Sequence, residues 1–164
     1  MHKGKFDTRP QERYLEDYVE GAVHEMGPVS ISEDDIVRFG RQFDPQVFHI
    51  DPQKARETVY CGLIASGWHT CALFMRLFVE HYLPDQASLG SPGVDELRWL
   101  KPVRPGDELM LRITVHKVKP SRSKPDRGVL FSFCEMVNQD GEVVATMMAM
   151  NLILYREAGA GSHS

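Results

Sequence analysis

The chain has 164 residues, which is enough for one domain with a single continuous core. Its hydrophobic fraction of 42% and charged fraction of 26% are ordinary for a soluble globular protein. The formal net charge of −4 argues against a nucleic-acid-binding protein, which would usually carry a basic face.

The cysteines and the apolar stretches bear on the cellular compartment. Three cysteines (Cys61, Cys71 and Cys134) have no metal-ligand or CxxC spacing, so we expect reduced, mostly buried thiols and no bound metal. The first residues lack an apolar stretch of signal-peptide length, and no window reaches the ~18 apolar residues of a membrane span. We therefore expect a cytoplasmic protein that binds neither membrane nor nucleic acid.

The N-terminal part of the chain predicts a strand followed by a helix. Residues 1–13 are polar and lack periodicity, so we expect a loose lead-in there. The apolar residues of 22–31 indicate a first strand with a break at Gly27-Pro28. Ser32 is followed by three acidic residues, a pattern that predicts a helix capped by Ser32 with acids in its first turn.

The segment after this helix carries a carboxylate and an imidazole. Pro45 disfavours the helical conformation for the residue before it, so the helix should stop there and Asp44 should be extended. Asp51 followed by Pro52 predicts an N-cap and the start of a new helix. Asp44 and His49 are therefore expected in the seven residues between two helices, in a loop whose ends are held on both sides.

The rest of the chain predicts one long helix and a set of strands. Gly62 is expected to open a helix that runs to Leu83-Pro84 and is apolar on nearly every side, as expected for a helix wrapped by the rest of the fold. Strands are expected over 94–100, 108–118, 129–138 and 142–155, the last two joined by an Asp-Gly hairpin turn. Together these elements predict an α+β domain in which about five antiparallel strands pack on one helix.

Two short segments are similar to a known family. Asp44 to Asp51, DPQVFHID, resembles the hydratase signature of the MaoC-like (R)-specific enoyl-CoA hydratase/dehydratase family, and Gly62 to Gly67, GLIASG, resembles the start of that family's central helix. The residues that match are Asp44, His49, Asp51 and Gly62. Two residues depart from the signature, since Gln46 and Val47 stand where the family usually has Asn and Pro.

The resemblance covers roughly residues 14–155 and implies a fold. That fold is the hotdog, a curved antiparallel sheet wrapped around one long central helix. It would occupy residues 14–156, with flexible termini at 1–13 and 157–164. Family members are dimers whose sheets continue into each other, so the resemblance also implies a homodimer or a higher homo-oligomer.

The family's chemistry is the reversible addition of water to a 2-enoyl thioester, a lyase reaction of fatty acid metabolism. The resemblance implies that Asp44 and His49 activate the water and shuttle the proton, and that the Gly62 amide binds the thioester carbonyl. Histidine suits proton transfer because its ordinary pKa of ~6.5 lies near working pH. If this is right, the polar atoms of Asp44 and His49 should lie within ~6 Å of each other in one pocket.

The substrate and its surroundings follow from the same resemblance. The thioester would be carried by coenzyme A or by an acyl carrier protein, and no metal or redox cofactor is expected, with coenzyme A present only as part of the substrate. The residues expected to contact the substrate are Gln46, Leu63, Ser66 and Thr70, although packing is an open alternative for Ser66 and Thr70.

Other interpretations stay open. A thioesterase of the same fold would add water to the thioester carbonyl, and a non-catalytic acyl-thioester-binding subunit gains weight from Gln46 and Val47. Asp51 is expected to be a helix cap, and His69 a satisfied core histidine. The methionines at 147, 148 and 150 would line the core or an acyl chain. The basic residues between the middle strands would attract coenzyme A phosphates or form a solvated loop; they are Lys117, Lys119, Arg122, Lys124 and Arg127.

Overall fold

The structure is a computed structural model and describes residues 4–157. Two short 3-10 turns, Pro10–Glu12 and Leu15–Asp17, precede the first strand. The helices are α1 (Glu33–Phe43), α2 (Val47–Ile50), α3 (Pro52–Ala55) and α4 (Gly67–His81). The strands are β1 (Val23–Ser30), β2 (Gly93–Trp99), β3 (Glu108–Pro120), β4 (Arg127–Val137) and β5 (Val143–Leu154).

The strands form one antiparallel sheet in the order β1-β3-β4-β5-β2. Strands β4 and β5 alternate between buried and half-buried residues, as expected for a sheet with one face on the core. The buried residues of α4 (Phe74, Leu77 and Phe78) share one hydrophobic core with that face of the sheet. The predicted α+β architecture is confirmed, and the break at Gly27-Pro28 coincides with a register shift between β1 and β3.

The central helix begins later than the sequence predicts. Residues 62–66 are not helical, because the Ile64 amide donates to the carbonyl of Phe48 at 3.0 Å and the Ala65 amide to that of Val103 at 2.8 Å. These bonds to two distant segments hold the backbone extended until Ser66, which caps α4. The prediction that Gly62 opens the helix is therefore wrong, since the first helical residue is Gly67.

The N-terminal segment is packed against the domain. Arg13 is only 3% exposed, and its guanidinium donates hydrogen bonds to the carbonyls of Thr8, His81 and Tyr82. Its charged group also lies 3.6 Å from the centre of the Phe6 ring. The expectation of a loose lead-in is thus wrong for these residues, because Arg13 satisfies carbonyls at the C-terminus of α4. The predicted flexible terminus at 157–164 falls almost entirely outside the described residues.

Candidate active site

Helix α1 delivers Asp44 to the site. The Ser32 hydroxyl accepts from the Asp35 amide at 3.1 Å and so begins the helix, as predicted. Asp44 is its C-cap residue and has a non-helical backbone, with φ −149° and ψ 73°. Pro45 explains this geometry, since a residue before proline avoids the helical region. Helix α1 therefore ends at Asp44, whose carboxylate faces His49 in the next segment of the chain.

His49 lies one short turn further on. Sequence analysis places it in an irregular loop, but Val47–Ile50 form the single turn α2, and His49 is 4% exposed. Helix α1 approaches this turn closely at Gly40, where an added Cβ would lie 2.9 Å from the His49 carbonyl oxygen and 3.0 Å from the His49 Cβ. Glycine at that position lets the two helices pack together, which brings the imidazole beside Asp44.

The hydrogen bonds of the imidazole define its orientation. His49 Nδ1 lies 2.7 Å from the Ile64 carbonyl oxygen, which can only accept, so Nδ1 carries a hydrogen. The other ring nitrogen, Nε2, faces Asp44 Oδ2 at 3.2 Å. The two side chains thus converge within the predicted distance. In the neutral ring Nε2 is a hydrogen-bond acceptor, and in the imidazolium it donates to Asp44 Oδ2.

Two further side chains hold the Asp44 carboxylate. Gln46 Nε2 donates to Oδ1 at 2.8 Å, and the Ser66 hydroxyl donates to Oδ2 at 2.7 Å. Burial raises the pKa of the Asp44 carboxyl, but these two hydrogen bonds and the nearby His49 outweigh it, so the pKa lies below its usual value of 3.8. Asp44 is consequently ionised at neutral pH and acts as a hydrogen-bond acceptor.

A cavity of about 550 Å³ opens onto the pair. Asp44 and His49 lie in its wall together with Gln46 and Thr70, two of the predicted substrate-contacting residues. The rest of the wall is mainly apolar and aromatic: Phe48, Tyr60, Ile64, Ala65, Gly67, Trp68, Trp99, Leu100, Lys101, Pro102, Val103 and Val144. Its character suits a substrate with an apolar portion next to a small polar centre.

The other predicted site residues lie elsewhere. Leu63 is 5% exposed and belongs to the hydrophobic core, so it does not line the cavity. Ser66 is 1% exposed and contacts Asp44, where sequence analysis expected a substrate contact or packing. Gly62 also lies outside the cavity wall and has a φ of 158°, with Arg104 as the nearest side chain. None of the three lines the cavity.

Gly67 takes the position at the helix end that sequence analysis assigns to Gly62. It is the first residue of α4 and lines the cavity, and within residues 4–157 no group accepts a hydrogen bond from its amide. First-turn amides and the helix dipole together favour a partial negative charge at such a place. Sequence reasoning missed this residue, although the serine directly before it is a typical N-cap and marks the helix start.

Trp99 of β2 is a second residue that sequence reasoning missed. Its indole Nε1 donates to the Gly67 carbonyl at 3.0 Å, and its ring packs edge-on against Trp68 with centroids 5.2 Å apart. A Cβ at Gly67 would lie only 2.3 Å from the Trp99 ring, so glycine is required for this contact. The sheet and the start of α4 are thereby joined at the cavity.

Asp51 and His69 are two further residues whose roles the sequence predicts. Asp51 caps α3 as predicted, accepting from the amides of Gln53 and Lys54. The His69 ring stacks on Phe39 with centroids 4.6 Å apart, and burial lowers its pKa, but its Nδ1 has no partner among the described residues. His69 is therefore a core histidine, but the expectation that it is satisfied is wrong for Nδ1.

The methionines and the basic loop lie apart from the pair. Met147 is buried in the core, whereas Met148 and Met150 are half-buried, and none of them lines the cavity. The basic residues are also absent from the cavity wall: Lys117 and Lys119 lie near the end of β3, Arg127 begins β4, and Arg122 and Lys124 lie in the connection between them. In the single chain, the solvated-loop interpretation fits this position better.

Membrane-spanning helices and metal-ligand clusters are both absent from residues 4–157. None of the helices in this range combines the length and apolar character needed to cross a bilayer. No group of three or more histidine, cysteine, aspartate or glutamate side chains in the same range is arranged to hold a metal ion.

The fold is an antiparallel sheet packed on one helix, and an aspartate–histidine pair suited to acid–base chemistry lies near the start of that helix. Comparison with known proteins agrees: residues 16–130 match the family described as MaoC like domain, and the chain belongs to that family. Its fold is the hotdog. The YdeM protein of Bacillus subtilis (strain 168) is 32% identical over 125 residues, which cover 76% of this chain and 87% of YdeM.

Solved structures show the same relationship. A MaoC-like dehydratase from Rhodospirillum rubrum is 40% identical with a TM-score of 0.82, covering 88% of this chain and 99% of that one. The (R)-hydratase PhaJ1 from Pseudomonas aeruginosa, in its unliganded form, is 25% identical with a TM-score of 0.70, covering 88% of this chain and 86% of that one. The relatives by structure thus include a dehydratase and a hydratase.

Proposed function

We propose that this protein is a hydro-lyase that reversibly adds water to a 2-enoyl thioester of coenzyme A or of an acyl carrier protein. The observation that carries the proposal is the 3.2 Å approach of Asp44 Oδ2 and His49 Nε2 in the wall of a cavity whose other lining residues are mainly apolar. Membership of a family with a MaoC-like dehydratase and an (R)-hydratase among its relatives supports the same reaction class.

The hydrogen-bond donors and acceptors of the pair suit hydration. With Nδ1–H committed to the Ile64 carbonyl, Nε2 of the neutral imidazole is an acceptor, and so is the ionised Asp44. One water bound between them can donate a hydrogen to each. As the water oxygen bonds to the β-carbon, an O–H bond breaks and the proton passes to His49 Nε2, where Asp44 stabilises the imidazolium. Nε2 then gives that proton to the α-carbon.

The electrons of the double bond need an acceptor during this sequence. They move onto the thioester oxygen as an enolate and return to form the new bond between the α-carbon and hydrogen. We assign the stabilising donor to the Gly67 amide, because it lines the cavity at the positive end of α4. The expected role of the Gly62 amide has no test in the structure, and its position outside the cavity wall favours Gly67.

The alternatives fit the geometry less well. A non-catalytic binding subunit would leave Asp44 turned outward and His49 without a carboxylate, whereas the two side chains converge. Gln46, one of the two departures from the family signature, holds the carboxylate directly and so supports an active site. A thioesterase would use the same pair on the carbonyl carbon, and only product analysis separates it from a hydratase.

We also propose that the protein works as a homodimer. Strand β2 lies at an edge of the sheet and is exposed at every residue except Leu97. Trp99 at the end of β2, Leu100 directly after it and Trp68 of α4 are exposed apolar residues that line the cavity, and Val94 is exposed further along the same strand. Exposed sheet edges are usually paired or covered, and a second copy would cover this one and close the cavity. A cytoplasmic location and the lack of a metal or redox cofactor remain predictions.

The test is hydration of crotonyl-CoA and longer 2-enoyl-CoA substrates. The reaction is monitored by the decrease in the absorbance of the conjugated enoyl group, and the product is identified by chiral analysis. Asp44→Asn and His49→Ala should each lower kcat by about 10²–10⁴-fold with little change in KM, because they act on proton transfers in the transition state. Asp51→Asn is the matched control, since it removes a nearby carboxylate but keeps a good N-cap.

Each outcome has a clear meaning. If the wild type hydrates neither these thioesters nor the same acyl groups on an acyl carrier protein, the proposal is rejected. Release of free coenzyme A without a 3-hydroxyacyl product would identify a thioesterase. Hydration that survives both substitutions would show that other residues carry the chemistry.

A further inference from the structure

Ser66 occupies a junction between two parts of the site. Its hydroxyl oxygen accepts from the Trp68 amide at 3.3 Å, which caps α4. The same hydroxyl donates its hydrogen to Asp44 Oδ2 at 2.7 Å. The side chain is 1% exposed, so neither bond competes freely with water. Ser66 therefore uses both its acceptor and its donor on groups of the site.

Capping alone does not explain this arrangement. Ser32 is also an N-cap serine, and its hydroxyl bonds only to Asp35, three residues away on an exposed surface. The Ser66–Asp44 bond spans 22 residues and joins the start of α4 to the end of α1. A capping serine needs no such distant acceptor. The bond to Asp44 is thus a feature of the site in addition to the cap.

Ser66 also differs from the other donor to Asp44. Gln46 is exposed and only two residues from Asp44, so its amide belongs to the same local segment as the carboxylate. Ser66 belongs to a different, buried element. Of the two side-chain donors, only Ser66 ties the carboxylate to the helix end where the Gly67 amide lies.

We infer that Ser66 is a positioning residue, which fixes Asp44 Oδ2 opposite His49 Nε2 and in register with the Gly67 amide. This inference rests on the proposed function for its kinetic consequence. The hydroxyl donates to the oxygen that also faces the imidazole, so it supports the ionised carboxylate that stabilises the imidazolium. Displacement of a catalytic group by about 1 Å can reduce a rate by about 10²-fold.

The kinetic test compares Ser66→Ala and Ser66→Gly with the matched control Ser32→Ala. Glycine is tolerated at N-caps, so Ser66→Gly removes the hydroxyl while largely keeping the cap, whereas Ser32→Ala removes a cap far from the pair. We expect both Ser66 variants to lower kcat on crotonyl-CoA by about 10–100-fold with little change in KM. The Ser32 variant should keep a kcat close to that of the wild type.

A second measurement does not depend on activity. The pKa of the Asp44 carboxyl can be followed by NMR with ¹³C-labelled aspartate, its signal being assigned by its absence in Asp44→Asn. Loss of the donated hydrogen bond should raise this pKa in Ser66→Gly and leave it unchanged in Ser32→Ala.

The two measurements separate the two hypotheses. A wild type that hydrates no enoyl thioester rejects the proposed function, and the NMR titration then decides the placement of Asp44 by itself. A Ser66→Gly protein whose Asp44 pKa equals that of the wild type overturns the inference. In an active enzyme, a kcat of the Ser66 variants within about threefold of the wild type overturns it as well.

Discussion

The contact between Gly67 and Trp99 gives a prediction whose magnitude follows from the structure. In Gly67→Ala, the new Cβ would lie 2.3 Å from Trp99 Cε2 and 2.6 Å from both Cδ2 and Nε1. The indole must retreat by at least about 1 Å to reach normal van der Waals separation. The backbone of Gly67 is not in the left-handed region, so alanine is excluded by the tryptophan ring and not by its own conformation.

The cost has two parts. Overpacking of a fitted contact typically costs about 1–3 kcal/mol, and the displaced indole also loses its hydrogen bond to the Gly67 carbonyl, worth about 0.5–1.5 kcal/mol. Alanine recovers about 0.5–1 kcal/mol because glycine is the poorer helix former. The net expectation is a loss of roughly 1–3 kcal/mol in the free energy of unfolding.

A double-mutant cycle measures this coupling. Urea denaturation at one fixed protein concentration would compare the wild type, Gly67→Ala, Trp99→Ala and the double variant. In the Trp99→Ala background the methyl has room, so Gly67→Ala should be neutral or slightly stabilising there. A coupling energy below about 0.5 kcal/mol would refute the reasoning, since it would mean that the two residues act independently.

Two further predictions concern packing and assembly. Arg13→Met should lower the free energy of unfolding by about 2–4 kcal/mol, because it removes the side-chain donor of the His81 and Thr8 carbonyls and one of the two donors of the Tyr82 carbonyl. The exposed Arg9→Met should change it by less than about 0.5 kcal/mol. Light scattering should give about twice the chain mass of 18.7 kDa for the wild type. Val94→Glu on β2 should yield a monomer, and Val59→Glu, at a position 92% exposed and off the sheet, should stay dimeric. A wild-type monomer at micromolar concentration would contradict the proposed dimer.

Local signals in the sequence were sufficient for many elements. Ser32 caps α1 and Asp51 caps α3, as their positions before helix-forming segments indicate. The turn between β4 and β5 contains Gly141 at φ 76°, which the Asp-Gly pair predicts. Such features depend on residues a few positions apart, so a single chain read in order contains the information that they need.

The aspartate–histidine pair could be predicted by resemblance to a known family, but the side chains that hold it in place could not. Nothing in the spacing of Asp44 and Ser66 indicates that a hydroxyl 22 residues away donates to the carboxylate. Arg13 likewise looks like one more polar residue in a polar segment, yet it is buried against the end of α4. Both roles arise from contacts between elements that are distant in the chain.

The start of the central helix shows most clearly what the local sequence determines and what the tertiary structure determines. The apolar composition of the segment indicated a helix that packs on the rest of the fold. The expectation that it is covered on nearly every side is wrong for the single chain, since Trp68, Met75 and Val79 of α4 are exposed. The first residue of that helix was decided by tertiary structure: Phe48 and Val103 accept hydrogen bonds from the amides of residues 64 and 65 and keep that backbone extended. These acceptors come from outside the segment, so the sequence placed the helix end at Gly62, whereas tertiary hydrogen bonding places it at Gly67.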